Sequence, residues 1–129
     1  MEKLLRQLGC FIAVGCAAAA THWLAAVLAV RLLGQPPLLA NVAGWLAAFC
    51  VSFAGHYLLT FRHQRAPLAR AALRFFAVSA LGFAVNEAAY AYLLHATPLR
   101  YDVLLALILL AIAAFTFVLG RFWAFRRRP

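Results

Sequence analysis

Apolar residues run along this chain in four long blocks, residues 8–33, 38–61, 71–94 and 103–125, each broken by few polar side chains. A helix needs about 20 mostly apolar residues to cross roughly 30 Å of hydrocarbon, and every block reaches that length. The pattern therefore predicts four transmembrane helices. The intervals between them carry turn chemistry: Gly34-Gln35-Pro36-Pro37, then Arg62 to Pro67, then Thr97-Pro98 to Asp102. Each interval is short, so consecutive helices are antiparallel neighbours.

Composition agrees. Of the 129 residues 67% are hydrophobic and 12% charged, against about 45–50% and about 25% in soluble domains. A water-soluble domain this small cannot hide so much apolar surface, so part of its solvent is lipid. The net charge of +9 could indicate nucleic acid, but no recognition motif accompanies it and none is expected as a partner. The basic residues instead punctuate the apolar blocks. Lys3, Arg6, Arg62, Arg65, Arg70, Arg74, Arg121, Arg126, Arg127 and Arg128 fall on one side of a four-helix topology, and only Arg31 and Arg100 on the other. Cytoplasmic loops are enriched in Lys and Arg, so both termini are expected in the cytoplasm. Lys3 and Arg6 followed by an apolar stretch and Ala17-Ala18-Ala19 also imitate a cleavable secretory signal. The apolar run continues to Leu33, and an even helix count keeps the basic ends together, which favours retention of the first helix. Cys10, Cys16 and Cys50 lie inside apolar runs with no CxxC and read as small packing residues rather than disulfides or metal ligands.

The two halves match at a constant offset of 64 residues without a gap: Arg6 with Arg70, Phe11 with Phe75, Val14 with Val78, Phe53 with Phe117, Phe61 with Phe125, Arg62 with Arg126. Two helices per copy means that both copies enter from the same side. The fold expected is an all-α integral membrane domain over residues 1–129, built as two parallel two-helix repeats at about 6–62 and 70–126.

Inside the spans, polar groups are few. Glu87 is the only acidic residue within a block and is expected near mid-depth of the third helix. An ionised group there costs about 2.5–3.5 kcal/mol on insertion scales, so it must be protonated, paired, or turned to a polar cavity. His22, opposite Asn86 in the repeat register, and an arginine of a neighbouring helix are candidate partners. Phe83, Glu87, Tyr90 and Leu94 share a stripe at spacings of three and four, with Asn86 beside it. That stripe could line a groove, or supply only an interhelical hydrogen bond. His56 and Tyr57 are further polar candidates, while Trp23 and Trp45 lie too deep for an interfacial belt and are expected to pack. Ala40, Gly44, Ala47 and Ala48 permit close approach of another helix. Nucleotide loops, HExxH and paired catalytic carboxylates are all missing from the sequence, and the only serines are Ser52 and Ser79. No enzyme activity, metal or cofactor is therefore expected.

The stretch Phe11-Ile12-Ala13-Val14-Gly15 with His22, then Ser52-Phe53-Ala54-Gly55-His56-Tyr57-Leu58-Leu59-Thr60-Phe61-Arg62, resembles the GtrA-like family. Arg74-Phe75-Phe76-Ala77-Val78, Asn86 and Phe117-Val118-Leu119-Gly120-Arg121-Phe122-Trp123-Ala124-Phe125 repeat that resemblance in the second half. The resemblance implies a four-helix protein of the bacterial inner membrane that translocates a polyprenyl-phosphate-linked monosaccharide for surface polysaccharide synthesis. On this reading Arg62, Arg74, Arg121 and Arg126 take the lipid phosphate at the cytoplasmic face, since the guanidinium fork suits phosphate oxygens. Positive-inside topology and attraction to anionic membrane lipid explain the same residues without a substrate. Asn86, Glu87, Tyr90 and His22 would pass the sugar, and a homodimer would enlarge the small space four helices enclose. Two alternatives are a non-transporting anchor for a membrane glycosyltransferase and a proton-coupled exporter of small cations.

Overall fold

The computed structural model describes residues 1–62 and 66–119, with side chains to Phe115. Its elements are helices α1 (Glu2–Leu33), α2 (Pro37–Gly55), α3 (Leu68–Ala96) and α4 (Tyr101–Leu119), and α2 runs on through a π-helical turn, His56–Thr60. Among the described residues there is no strand. Three helical segments, α1, α2 with its π turn, and α3, are long and apolar enough to span a membrane, whereas α4 is apolar but shorter. The rest of the expected fourth span, to residue 125, lies outside the described residues. The first helix begins at Glu2 rather than at residue 8. Its 32 residues measure about 48 Å at 1.5 Å per residue, more than the hydrocarbon is thick. Its first turns, with Lys3 and Arg6, therefore reach beyond the apolar layer.

The breaks form for local reasons. Gly34 closes α1 at φ 63°, a left-handed conformation that costs glycine nothing, and the cap N–H groups return to Ala29 and Val30 carbonyls. Pro37 opens α2 at a first-turn position where its missing N–H leaves no bond unmade. Thr97 is extended because Pro98 follows it, which stops α3 at Ala96. At the start of α4 the Asp102 Oδ1 accepts the Val103 N–H at 2.9 Å. Its Oδ2 accepts from Arg100 at 2.9 Å and from Arg31 at 3.4 Å. Trp23 Nε1–H donates to the Asp102 carbonyl at 2.9 Å, so one residue ties α4 to α1.

The main contacts of the four helices close a ring: α1 with α2, α2 with α3, α3 with α4, and α4 with α1. The α1–α2 seam is the longest. It closes where α2 is smallest, since a Cβ on Gly44 would stand 2.6 Å from the His22 carbonyl oxygen and one on Gly55 would stand 2.7 Å from Val14 Cγ1. Ala40, Gly44 and Ala48 are buried on this face, as their small size leads one to expect. The compact core lies at the α4 side, from Ala26, Tyr90, Leu104, Leu105 and Ile108. Leu28, Leu73, Val78, Leu81, Val85 and Leu110 point outward, an apolar exterior that only lipid or protein can cover.

Candidate functional site

A polar cluster sits where α1, α2 and α3 meet. His22 of α1 places Nε2 2.6 Å from Asn41 Oδ1. The Asn41 amide nitrogen donates to Asn86 Oδ1 and to Glu87 Oε2, each at 2.8 Å. Oδ1 can only accept, so His22 Nε2 carries the proton, and both amide hydrogens of Asn41 are used. Asn41 is 0% exposed and holds groups from three helices at once. The sequence shows it as a lone amide one turn inside the 38–61 block, and nothing in its local pattern singles it out. What makes it the hub is the convergence of α1 and α3 on α2, which no local pattern announces.

Two expectations about this cluster change. Glu87 lies nineteen residues from Leu68 and nine from Ala96, in the half of α3 nearer the α3–α4 turn. Its partner is Asn41, and among the described residues no arginine pairs with it. His22 reaches it only through Asn41. Tyr90 is a core pillar rather than a groove liner: it is 0% exposed, and its hydroxyl donates to the Tyr101 carbonyl at 3.1 Å. Tyr90→Phe keeps the ring and loses that bond, so it should lower unfolding stability by about 0.5–1.5 kcal/mol. Denaturation in mixed micelles measures this. A loss well beyond that range would mean that the hydroxyl has a second role.

From the cluster, aromatic rings run along the α2–α3 seam. His22 stands 6.5 Å from Phe83, which stacks on Trp45 at 4.6 Å. Trp45 meets Phe76 at 5.4 Å and donates Nε1–H to Ser79 Oγ at 2.8 Å, so it packs as expected. Phe76 meets Phe49 edge-on at 5.3 Å, Phe49 lies 5.8 Å from Phe75, and Phe75 lies 5.9 Å from His56. His56 is also 4.9 Å from Phe11 and 6.2 Å from Phe61. Offset and edge-to-face rings at these spacings attract one another beyond simple burial. The seam thus joins the polar cluster to the opposite end of the bundle.

At that end an open cleft of about 570 Å³ lies between the first turns of α1 and the π turn. Lys3, Arg6 and Gln7 line it from α1, and Thr60, Phe61 and Arg62 from the end of the π turn. The π turn has its own anchor, His56 Nδ1 at 3.1 Å from Thr60 Oγ1. Such turns gather at functional sites because the wider helix re-aims the residues that follow. Of the four arginines expected to hold phosphate, Arg62 is here, whereas Arg74 is exposed on α3 and is not among the lining residues. Arg121 and Arg126 lie outside the described residues. Lys3 and Arg6 are members that the sequence shows only as topogenic charge.

The geometry provides one basic cleft, one buried amide–carboxylate cluster and a line of aromatic rings between them. Neither a curated protein nor a solved structure matches the chain. A family model, that of the GtrA/DPMS transmembrane domain, matches residues 10–125, and the chain belongs to that family.

Proposed function

We propose that this protein moves a polyprenyl-phosphate-linked monosaccharide across a bacterial inner membrane for surface polysaccharide synthesis. The broader statement is direct: it is a multi-pass membrane protein of a family linked to glycosyl-phosphate-lipid processes. The observation that supports translocation is the aromatic seam from the Arg6–Arg62 end to the Asn41 cluster. Aromatic faces pack against the C–H faces of a sugar ring, while a few amides and a carboxylate pair with its hydroxyls. The prenyl tail stays in lipid along the apolar exterior. In this reading the basic end faces the cytoplasm, both termini lie there, and arginines take the phosphate.

Two parallel repeats fit the internal geometry. Phe11 and Phe75, 64 positions apart, both flank His56, and His22 and Asn86, also 64 apart, both bond Asn41. No bond of the substrate is broken, so the proposal needs no catalytic residue or cofactor. Membrane glycosyltransferases supply and consume the lipid, and a homodimer encloses the sugar more fully than four helices can.

The test is transbilayer movement of a polyprenyl-phosphate hexose in liposomes holding the purified protein. Movement should exceed that in protein-free liposomes, and Glu87→Gln and Asn86→Ala should each slow it at least about tenfold, a barrier change of about 1.4 kcal/mol. Wild-type rates equal to those of empty liposomes, across several sugars, would sink the translocase reading.

A further inference from the structure

The geometry points to the cleft between α1 and the π turn as the site that holds the phosphate of the lipid, with Lys3, Arg6 and Arg62 as its cations. This deepens the translocase reading and rests on it for the identity of the lipid. Among the described residues three cations line one cleft with a single carboxylate, that of Glu2. Gln7 and Thr60 add neutral groups that can donate to phosphate oxygens. Guanidinium groups from two chain segments, one at Arg6 and one at Arg62, can clamp a tetrahedral anion from two directions, which adjacent residues on one helix face cannot do.

The neighbourhood selects a lipid phosphate over a soluble one. Cys10 and Leu59 line the same cleft, and Leu5, Phe11 and Leu58, each next in sequence to a lining residue, are exposed. A phosphate seated among the cations therefore has an apolar surface at hand for an attached chain. The cleft is also next to Phe61, and Phe61 meets His56, where the aromatic seam ends. A sugar carried on that phosphate starts at the mouth of the seam. The π turn is what brings this about, since it sets Thr60, Phe61 and Arg62 against the first turns of α1. Arg74, which the family resemblance groups with Arg62 among the phosphate-holding arginines, is outside the cleft.

Native mass spectrometry of the full chain in detergent tests this, with sugar-free polyprenyl phosphate as the probe and neutral polyprenol and inorganic phosphate as the other arms. One polyprenyl phosphate should be retained per chain, polyprenol should not, and millimolar inorganic phosphate should not compete. Arg6→Gln combined with Arg62→Gln should weaken retention about thirtyfold, as expected for two cations near a membrane surface. Glu2→Gln should tighten it about fivefold, because one opposing charge is removed. Arg70→Gln, which removes one cation on α3 outside the cleft, should leave it unchanged. Retention unaffected by the double substitution, equal loss with Arg70→Gln, or displacement by inorganic phosphate would each overturn the assignment. Translocation by the same variants separates the two readings. A double variant that loses retention yet moves the lipid at the wild-type rate overturns the cleft alone, and a wild-type protein that retains the lipid yet does not move it overturns the translocase alone.

Discussion

Asn41→Leu should lower unfolding stability by about 2–4 kcal/mol and abolish measurable sugar-lipid movement. Three contacts vanish together: the His22 contact at 2.6 Å and the Asn86 and Glu87 contacts at 2.8 Å. Interhelical hydrogen bonds in membrane bundles average about 0.6 kcal/mol with a maximum near 1.7, so the bonds alone come to about 2. Leucine then leaves a ring N–H, an amide oxygen and a carboxyl oxygen facing an apolar side chain, and each buried group left unpaired costs about 1–3 kcal/mol with its lost bond included, so this penalty replaces the bond sum and does not add to it. Glu87 is only partly buried and recovers some of that loss, which keeps the sum near the lower end. Asn41→Asp discriminates further. It keeps the acceptor for His22 but removes both donors and sets a second carboxyl against Glu87. Adding Glu87→Gln should restore part of the loss, because the amide introduced at position 87 can donate to the aspartate. A double-mutant cycle in mixed micelles measures that coupling. A stability change below about 0.5 kcal/mol for Asn41→Leu would remove Asn41 as the hub.

The second large effect is at the α1–α2 crossing. Gly44→Leu should cost at least about 3 kcal/mol, and Gly44→Ala about 1–3 kcal/mol, even though alanine is the better helix former. A Cβ there would meet the His22 carbonyl oxygen at 2.6 Å, His22 Cδ2 at 2.7 Å and the Ala26 Cβ at 3.1 Å. The first of these is main chain and cannot rotate away, so α1 must move bodily. That displacement draws His22 from Asn41, and sugar-lipid movement should fall along with stability. Gly15→Ala is the contrast: a Cβ at Gly15 meets nothing within 4 Å. It should be neutral or stabilise by up to about 1 kcal/mol through helix propensity. Thermal melts in one detergent order the three variants, and a Gly44→Ala protein as stable as wild type would show that the seam tolerates separation.

The four apolar blocks, their breaks and their lipid-facing character were written in the sequence. Hydrophobic run length is set by bilayer thickness, and Gly34, Pro37 and Pro98 act through their own backbones, so neither needs a distant partner to be read. Glu87, His22 and Asn86 were legible for the same kind of reason, since a polar group inside an apolar span is costly wherever it lies. Asn41, by contrast, looks ordinary in its own helix. Its importance comes from His22 nineteen positions before it and from Asn86 and Glu87 more than forty after it. Tyr90 differs from its expected place for a related reason: helical spacing puts it on the stripe with Glu87, but α4 packs over it and the Tyr101 carbonyl takes its hydroxyl. Which residue of a stripe faces a groove and which a neighbour depends on where the next helix lies. The same holds for Lys3, Arg6 and Arg62. Sequence alone determined that they share one side of the membrane, because that follows from counting spans, whereas only the tertiary structure decided that a π turn brings segments more than fifty residues apart to one cleft. Spans are local and additive along the chain, while a site is a meeting of segments whose separation in sequence carries no record of their distance in space.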